Sequence, residues 1–346
     1  MKHQTTRYGE IPFYKIGTFG NTADAFISKK LFLEYKTKYS FPKKGDILIS
    51  ASGTIGRAVI YDGKPAYFQD SNIVWIDNDE TLVKNDFLFY AYSHVKWNTE
   101  HTTILRLYND NFRNTLIPLP PLNEQIAIAN ILSDVDHYLY SLDALILKKE
   151  SVKKALSFEL LSQRKRLKGF NQAWQKVRLG DIANYLTSNL SAEQITQQGK
   201  IKVYDVNNFI GYTDTTFISD KPYISIVKDG SVGRVRILPP KTNILSTMGA
   251  LIANHRTTTE FLFYLLSNFD FKNFTSGSII PHIYFKDYKE KTIFLPPLNE
   301  QIAIANILSA LDNEITSLKN KKRQFENIKK ALNRDLMSTK IRVLKK

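Results

Sequence analysis

Leu119-Pro120-Pro121-Leu122-Asn123-Glu124-Gln125-Ile126-Ala127-Ile128-Ala129-Asn130-Ile131-Leu132-Ser133 recurs without a single change at Leu295–Ser309, an offset of 176 residues. At the same offset Lys153-Lys154-Ala155-Leu156 meets Lys329-Lys330-Ala331-Leu332 with no gap. A period this long exceeds the roughly 20 to 50 residues of a solenoid repeat, so the repeating unit is a whole domain followed by a connecting element. The order is domain, helix, domain, helix.

Each copy opens a helix. Pro120-Pro121 and Pro296-Pro297 break the preceding strands, Asn123 and Asn299 are placed to act as N-caps, and the following glutamates suit the positive end of the helix dipole. Apolar residues then fall at alternating steps of four and three, through Ile128, Leu132, Val135, Leu139, Leu142 and Ile146, and through Ile304, Leu308, Leu311, Ile315 and Leu318. That spacing is a coiled-coil seam. Gly169, preceded by Arg164, Lys165, Arg166 and Lys168, is the expected end of the first helix. A helix of about 45 residues would be a rod of roughly 65 to 70 Å. Antiparallel pairing within the chain would make a pseudo-twofold repeat with a globular domain at each end, whereas pairing between two chains would make a homodimer.

The expected boundaries are a first globular domain at 1–118, a central helical region at 119–168, a second globular domain at 169–294 and a C-terminal helical region at 295–346. The second domain contains the β-rich runs KVRLGDIANYL, KIKVYDVNNFI, YISIV, RVRIL and NILST, with TTEFLFYLLSNF as a short helix. The first contains FYKIG, DILIS, RAVIY and SNIVWI, followed by the helical NDFLFYAYSHV. Gly53-Thr54-Ile55-Gly56-Arg57 matches Gly230-Ser231-Val232-Gly233-Arg234. The fold class is α+β: two β-rich α/β domains joined by two long helices that form an antiparallel intramolecular coiled coil.

The 346 residues contain no Cys and six scattered His, which excludes a disulfide framework and leaves no thiolate or helical His-pair metal site. MKHQTTRYGEIPFYK has no signal-peptide core, and no stretch of about 18 uncharged apolar residues occurs, so a cytoplasmic protein with no membrane partner is expected. The net charge of +15 is concentrated: residues 148–168 carry +6 and residues 319–346 carry +9, while the remainder holds 29 basic and 29 acidic residues. Basic charge at equivalent places of the two repeats suits phosphate contact or an acidic partner, and equally a solvated helix face.

Catalytic patterns fail on inspection. Leu119 and Leu122 flank Pro120-Pro121, where an amino-methyltransferase needs an acidic or amide residue and an aromatic to grip a flipped base. Neither a GxGxxG nor a GxxxxGK[ST] loop occurs, and Asp77, Asp79 and Glu80, with no Lys before Lys84, read as a turn. No catalytic residue and no metal ligand is therefore assigned.

The doubled PLPPLNEQ helix start, each copy following a β-rich domain with a GxxGR loop, resembles the specificity subunit of type I restriction-modification systems over nearly the entire chain. The resemblance implies that each globular part is a target recognition domain reading one half of a bipartite, interrupted double-stranded DNA site. It implies that the helices set the spacing and bind two methyltransferase subunits, with two restriction/translocase subunits as optional further partners. Cofactors are expected only on those partners: S-adenosylmethionine on the methyltransferase, ATP and Mg on the motor. One departure stands out, because Trp174-Gln175-Lys176-Val177-Arg178-Leu179-Gly180-Asp181-Ile182 opens the second domain as is usual in the family, and the first has no counterpart. Aligning Gly9 with Gly199 puts the shortfall at roughly twenty residues.

Base reading needs polar side chains on exposed loops. In the first domain the candidates are Ser52, Thr54 and Arg57 at the glycine turn and Thr102, Thr103, Arg106, Asn109, Asn111 and Arg113 ahead of the Pro-Pro. In the second they are Lys228, Ser231, Arg234 and Arg236, then Ser276, Ser278, His282 and Lys286. Asn123, Glu124 and Gln125, with Asn299, Glu300 and Gln301, are candidates for partner contact, identical blocks suiting two copies of one partner. The competing class is a coiled-coil scaffold whose basic helices bind an acidic partner without reading sequence.

Overall fold

The computed structural model describes residues 4–68, 72–97, 106–338 and 340–344. The chain divides into two compact units, unit 1 being Met1–Asp143 with Asn320–Lys346 and unit 2 being Ala144–Lys319. Unit 1 contains β1 (Ile11–Tyr14), β2 (Phe26–Ile27), α1 (Lys29–Lys38), β3 (Ile47–Ser50), β4 (Ala58–Ile60), β5 (Tyr67–Phe68), β6 (Ile73–Trp75), α2 (Asn85–His94), α3 (Asn109–Arg113) and the start of α4 (Leu122–Leu161). Unit 2 contains β7 (Gln175–Arg178), β8 (Ala183–Thr187), β9 (Ile201–Tyr204), β10 (Phe209–Thr213), β11 (Tyr223–Val227), β12 (Val235–Leu238), β13 (Asn243–Ile244) and β14 (Met248–Ala253). It continues with α5 (Thr259–Ser267), β15 (Thr275–Ser276), β16 (His282–Ile283), α6 (Phe285–Tyr288), β17 (Thr292–Leu295) and the start of α7 (Leu298–Met337). Each long helix gives its first half to one unit and its second half to the other.

The repeat seen in the sequence is a repeat of topology. Unit 1 has sheets ordered β2-β1-β5 and β4-β3-β6, and unit 2 answers with β10-β9-β13 and β12-β11-β14-β8. In both, the first strand runs antiparallel to its hairpin partner and parallel to the third. The strands β3 and β11 are buried at every position because each lies between two neighbours. This is why ILIS and YISIV read as near-continuous apolar runs rather than as alternation. Helix α2 packs Phe87, Tyr90 and Ala91 against Ile128, Ala129 and Leu132 of α4 and Leu336 and Met337 of α7. In unit 2, Phe261, Leu262 and Tyr264 of α5 join Ile304, Ala305 and Leu308 of α7 in a larger core.

The helices pair antiparallel within the chain. In unit 1 Lys322 meets Asp143 at 2.7 Å, Lys329 meets Asp136 and Arg342 meets Glu124. In unit 2 Lys149 meets Glu314 at 2.8 Å, Lys153 meets Asp312 and Arg166 meets Glu300. One number falls as the other rises, which is the signature of opposite directions. The 3,4-spaced residues line that seam, with Ile128, Leu132, Leu142, Ile146, Ile304, Leu308 and Ile315 buried.

Two expectations are corrected and one element is added. The helices start at Leu122 and Leu298, before the asparagines. Pro121 and Pro297 supply carbonyl acceptors for Gln125 and Gln301 N–H, and the Asn123 and Asn299 side chains instead take the N–H of Glu124 and Glu300 within the first turn. Helix α4 ends at Leu161 after 40 residues, not at Gly169. The chain turns through Gln163 at φ 62°, which frees Arg166 to fold back onto Glu300. Helix α1, capped by the Ser28 side chain on Leu31 N–H, is an addition in unit 1 that the patterning did not announce, since it buries only Phe32.

Candidate nucleic-acid interface

The identical Glu-Gln pairs are structural clamps. Gln301 is 0% exposed. Its Oε1 accepts from the Thr257 hydroxyl at 2.8 Å and from the N–H of Thr258, the N-cap of α5, at 3.1 Å, while its amide donates to the carbonyls of Arg256 and Pro296. Gln125, 1% exposed, repeats this with the N–H of Lys84, the N-cap of α2, and the carbonyls of Leu82 and Pro120. Glu300 is gripped by Arg166 and also accepts the Trp174 indole N–H at 3.0 Å. Glu124 is gripped in the same bidentate way by Arg342, whose guanidinium holds the carboxyl below its ordinary value. Arg166 and Arg342 stand one repeat apart. The expectation that these positions are exposed for a partner is therefore corrected at Glu124, Gln125, Glu300 and Gln301: their polar atoms are spent inside the chain, fastening each globular part to the helices. Asn123 and Asn299 are exposed.

A second duplicated network fastens the other helix of each unit. Tyr264 donates to Asp312 at 2.9 Å, Lys153 pairs with the same carboxylate and lies over the Tyr264 ring. Tyr90, Asp136 and Lys329 repeat it. Burial, assisted by the neighbouring aspartate, pushes both phenols well up from their usual value.

On this scaffold the two candidate reading segments come together in each unit. In unit 2 Asp229 and His282 form an isolated antiparallel bridge, Gly230 N–H donates to Pro281 O and Ile283 N–H donates to Lys228 O, both at 2.9 Å. The side chains meet as well, His282 Nδ1 lying 2.6 Å from Asp229 Oδ1. In unit 1 Ser52 and Arg106 form the equivalent bridge and Leu107 N–H donates to Ala51 O at 2.8 Å. Gly56 and Gly233, at φ 79° and 81°, make the turn possible; an added β-carbon would lie 2.2 Å from Trp97 Nε1 or 2.6 Å from a ring carbon of Phe271. The GxxGR signature is thus a turn pressed flat beneath an aromatic, ending in an arginine that crosses to the first hairpin. Arg57 donates to Phe19 O at 3.0 Å, and Arg234 donates to Asn207 Oδ1 at 2.8 Å.

Thr54, Asn109, Arg113, Ser231, Arg234, Ser276, Ser278 and Lys286 are exposed, and Arg57, Arg106, Lys228, Arg236 and His282 half-buried. Arg113 lies 3.6 Å from Asp110. Ser276 sits opposite His282 in the β15–β16 hairpin, and Lys286 lies over Tyr284. Two candidates are corrected: Ser52 is buried with its hydroxyl donating to Asn72, and Asn111 is buried with its Oδ1 accepting Tyr108 N–H at the start of α3. Thr102 and Thr103 lie outside the described residues. Sequence reasoning missed Asn207 and Tyr204, which hold Arg234 and Arg236 from the β9–β10 hairpin; the Asp-Val-Asn-Asn turn signal was the available clue. Among the described residues no group of three His, Asp or Glu side chains forms a metal cluster, and no helix is long and apolar enough to cross a membrane.

The family profile of the type I restriction modification DNA specificity domain matches residues 1–149 and 171–327, one match for each repeat. The chain belongs to this family of specificity subunits. It is 65% identical over 133 residues, 38% of its own length and 34% of the relative's, to the type I restriction enzyme specificity subunit S.HindORF215P of Haemophilus influenzae. Over 335 residues, 86% of the chain and 79% of the relative, it is 30% identical to the MjaX specificity subunit of Methanocaldococcus jannaschii. The crystal structure of a type I restriction-modification S subunit from M. genitalium superposes with a TM-score of 0.63 at 20% identity, covering 97% of this chain and 91% of that one. A chain from a structure of an assembled type I restriction-modification system gives 0.53 at 17% identity, covering 87% and 82%. These two establish a shared fold. As a specificity subunit the protein is a non-catalytic component of a type I system.

Proposed function

We propose that the chain reads a bipartite, interrupted double-stranded DNA site, one half per unit, and directs partner adenine methyltransferase and restriction subunits to it. The observation that carries this reading is the duplicated junction of the glycine turn with the segment ahead of the Pro-Pro, furnished differently in the two units: the half-buried Asp229–His282 side-chain pair stands in one, and Arg106, bridged through its backbone to Ser52, in the other. A common frame with divergent polar chemistry is what two readers of different sequences require, because base identity is discriminated by donor and acceptor patterns. Ser231, Arg234, Ser276, Ser278, His282 and Lys286 are assigned to the half-site of unit 2, and Thr54, Arg57, Arg106, Asn109 and Arg113 to that of unit 1. The helices set half-site spacing, and two methyltransferase subunits dock on the exposed residues of the duplicated block, Leu122, Asn123 and Ile126 with Leu298, Asn299 and Ile302. S-adenosylmethionine, ATP and Mg act on the partner subunits, and the complex works in the cytoplasm. In this reading the recognition domains are residues 1–118 and 169–294 and the helical spacer regions 119–168 and 295–346.

Mapping N6-methyladenine in cells with and without this gene, together with its methyltransferase partner, tests the reading. A gene-dependent bipartite motif is expected, and His282→Ala should relax one half of it while leaving the other. Uniform, sequence-independent binding that only weakens with salt would replace this reading with the basic scaffold.

A further inference from the structure

Asp229 and His282 face each other across the bridge that joins the glycine turn of unit 2 to the β15–β16 hairpin, so their side chains leave on the same side. The backbone is fixed on both flanks, Gly230 N–H donating to Pro281 O and Ile283 N–H to Lys228 O. The imidazole is held as well. Tyr284 stacks on it with centroids 6.5 Å and planes 20° apart. At Gly277 an added β-carbon would lie 3.1 Å from His282 Cδ2, so a side chain there would crowd the ring.

The contact with Asp229 selects a tautomer. Oδ1 lies 2.6 Å from Nδ1, and a carboxylate only accepts, so the proton between them belongs to Nδ1. In the neutral imidazole that leaves the lone pair on Nε2. Among the described residues Nε2 has no hydrogen-bond partner, and it is not buried. His282 is thus a half-buried, oriented ring whose one unused polar atom opens to solvent where the two reading segments join. Unit 1 furnishes the same two positions otherwise. Ser52, in place of Asp229, turns its hydroxyl to Asn72, and Arg106, in place of His282, carries only donors. The carboxylate stands in the unit whose reader has two tautomers to choose between, and is absent where a guanidinium has no such choice.

In the major groove of B-DNA the donors are the N6 amino group of adenine and the N4 amino group of cytosine, whereas guanine and thymine show acceptors. An acceptor at Nε2 pairs with the former and opposes the latter. Resting on the reading of unit 2 as the reader of one half-site, we propose that His282 determines specificity at one position of that half-site, Nε2 accepting from the amino group of an adenine or a cytosine. Asp229 is the positioning residue that holds the tautomer.

The test uses the full chain assembled with its methyltransferase partner and duplexes carrying the mapped motif. Each adenine of unit 2's half-site is replaced by purine and each cytosine by 2-pyrimidinone, which removes the amino group alone. At one position this is expected to weaken binding about tenfold, the scale of a base-edge contact. His282→Ala should abolish the difference at that position and keep those at every other. Asp229→Ala should shrink it there without a uniform loss of affinity. Selectivity retained in unit 1's half-site checks that both variants are folded. A half-site with no amino-dependent position, a result that needs no variant, overturns the proposal, as does a dependence that His282→Ala leaves untouched. A full difference preserved in Asp229→Ala overturns the tautomer argument. Uniform weakening with a shallower salt dependence in His282→Ala would make the ring a phosphate-binding imidazolium instead. Absence of any gene-dependent bipartite motif would sink the functional reading and this inference with it, whereas any of the other adverse results, obtained with a two-half motif in hand, removes this inference alone.

Discussion

At Gln301 one amide side chain satisfies two donors and two carbonyls at the junction of α5, the loop before it and α7. Removing it strands groups that no solvent reaches, each costing about 1 to 3 kcal/mol. Gln301→Ala is therefore expected to lower the stability of unit 2 by at least that amount in urea unfolding, and Gln125→Ala to do the same for unit 1; an unchanged midpoint for both would show that the clamp is ornamental. Glu124 makes a pH prediction of definite sign. The Arg342 hydrogen bonds hold its carboxyl below the ordinary 4.5, so the folded state takes up a proton less readily than the unfolded one. The stabilisation is complete above the ordinary value and is lost as pH falls through the depressed folded value. Thermal unfolding followed from about pH 6 to about pH 3 should show unit 1 weakening on acidification, with Glu124→Gln flattening that dependence.

The helices act as shared hardware. Leu132 and Leu308 are twins in the repeat, both 0% exposed, each in the core of its own unit. Truncation of such a residue to alanine costs about 2 to 5 kcal/mol, so Leu308→Ala is expected to accelerate hydrogen exchange in α5 and β11, and Leu132→Ala in α2, each chiefly within its own unit. The seam itself was legible because a 3,4 repeat has no other economical use, and the strands because central ones must be apolar on both faces. The helix ends were not legible. Gly169 looked like a terminus, yet Arg166 folds back onto the buried Glu300, and such a tertiary partner 134 residues away leaves no local trace. The site was half legible for the same reason. Glycine turns announce themselves through φ, whereas nothing local distinguishes Ser231, which faces solvent, from Ser52, which turns inward to Asn72, or marks Gln125 as a clamp.

For the molecule as a whole the question is which of its many basic residues meet DNA. The excess of +15 resides in the helix regions, but Lys149, Lys153, Lys319, Lys322 and Lys329 are held by carboxylates across the seam and Arg166 and Arg342 by buried glutamates. A lysine already neutralised in the folded chain releases few further counterions when DNA arrives. Arg113 at the end of α3, loosely paired with Asp110 at 3.6 Å, and Lys286 in α6 are exposed beside the reading segments and are the better candidates for phosphate contact. The slope of log K against log salt measures such contacts, changing by about 0.9 for each phosphate contact removed from B-DNA. Lys286→Ala and Arg113→Ala are each expected to flatten the slope by about that amount. Lys149→Met, which keeps an apolar stem against the seam, should leave it unchanged. An equal flattening by Lys149→Met would place DNA along the helices and reverse this division between charges that build the rod and charges that meet the duplex.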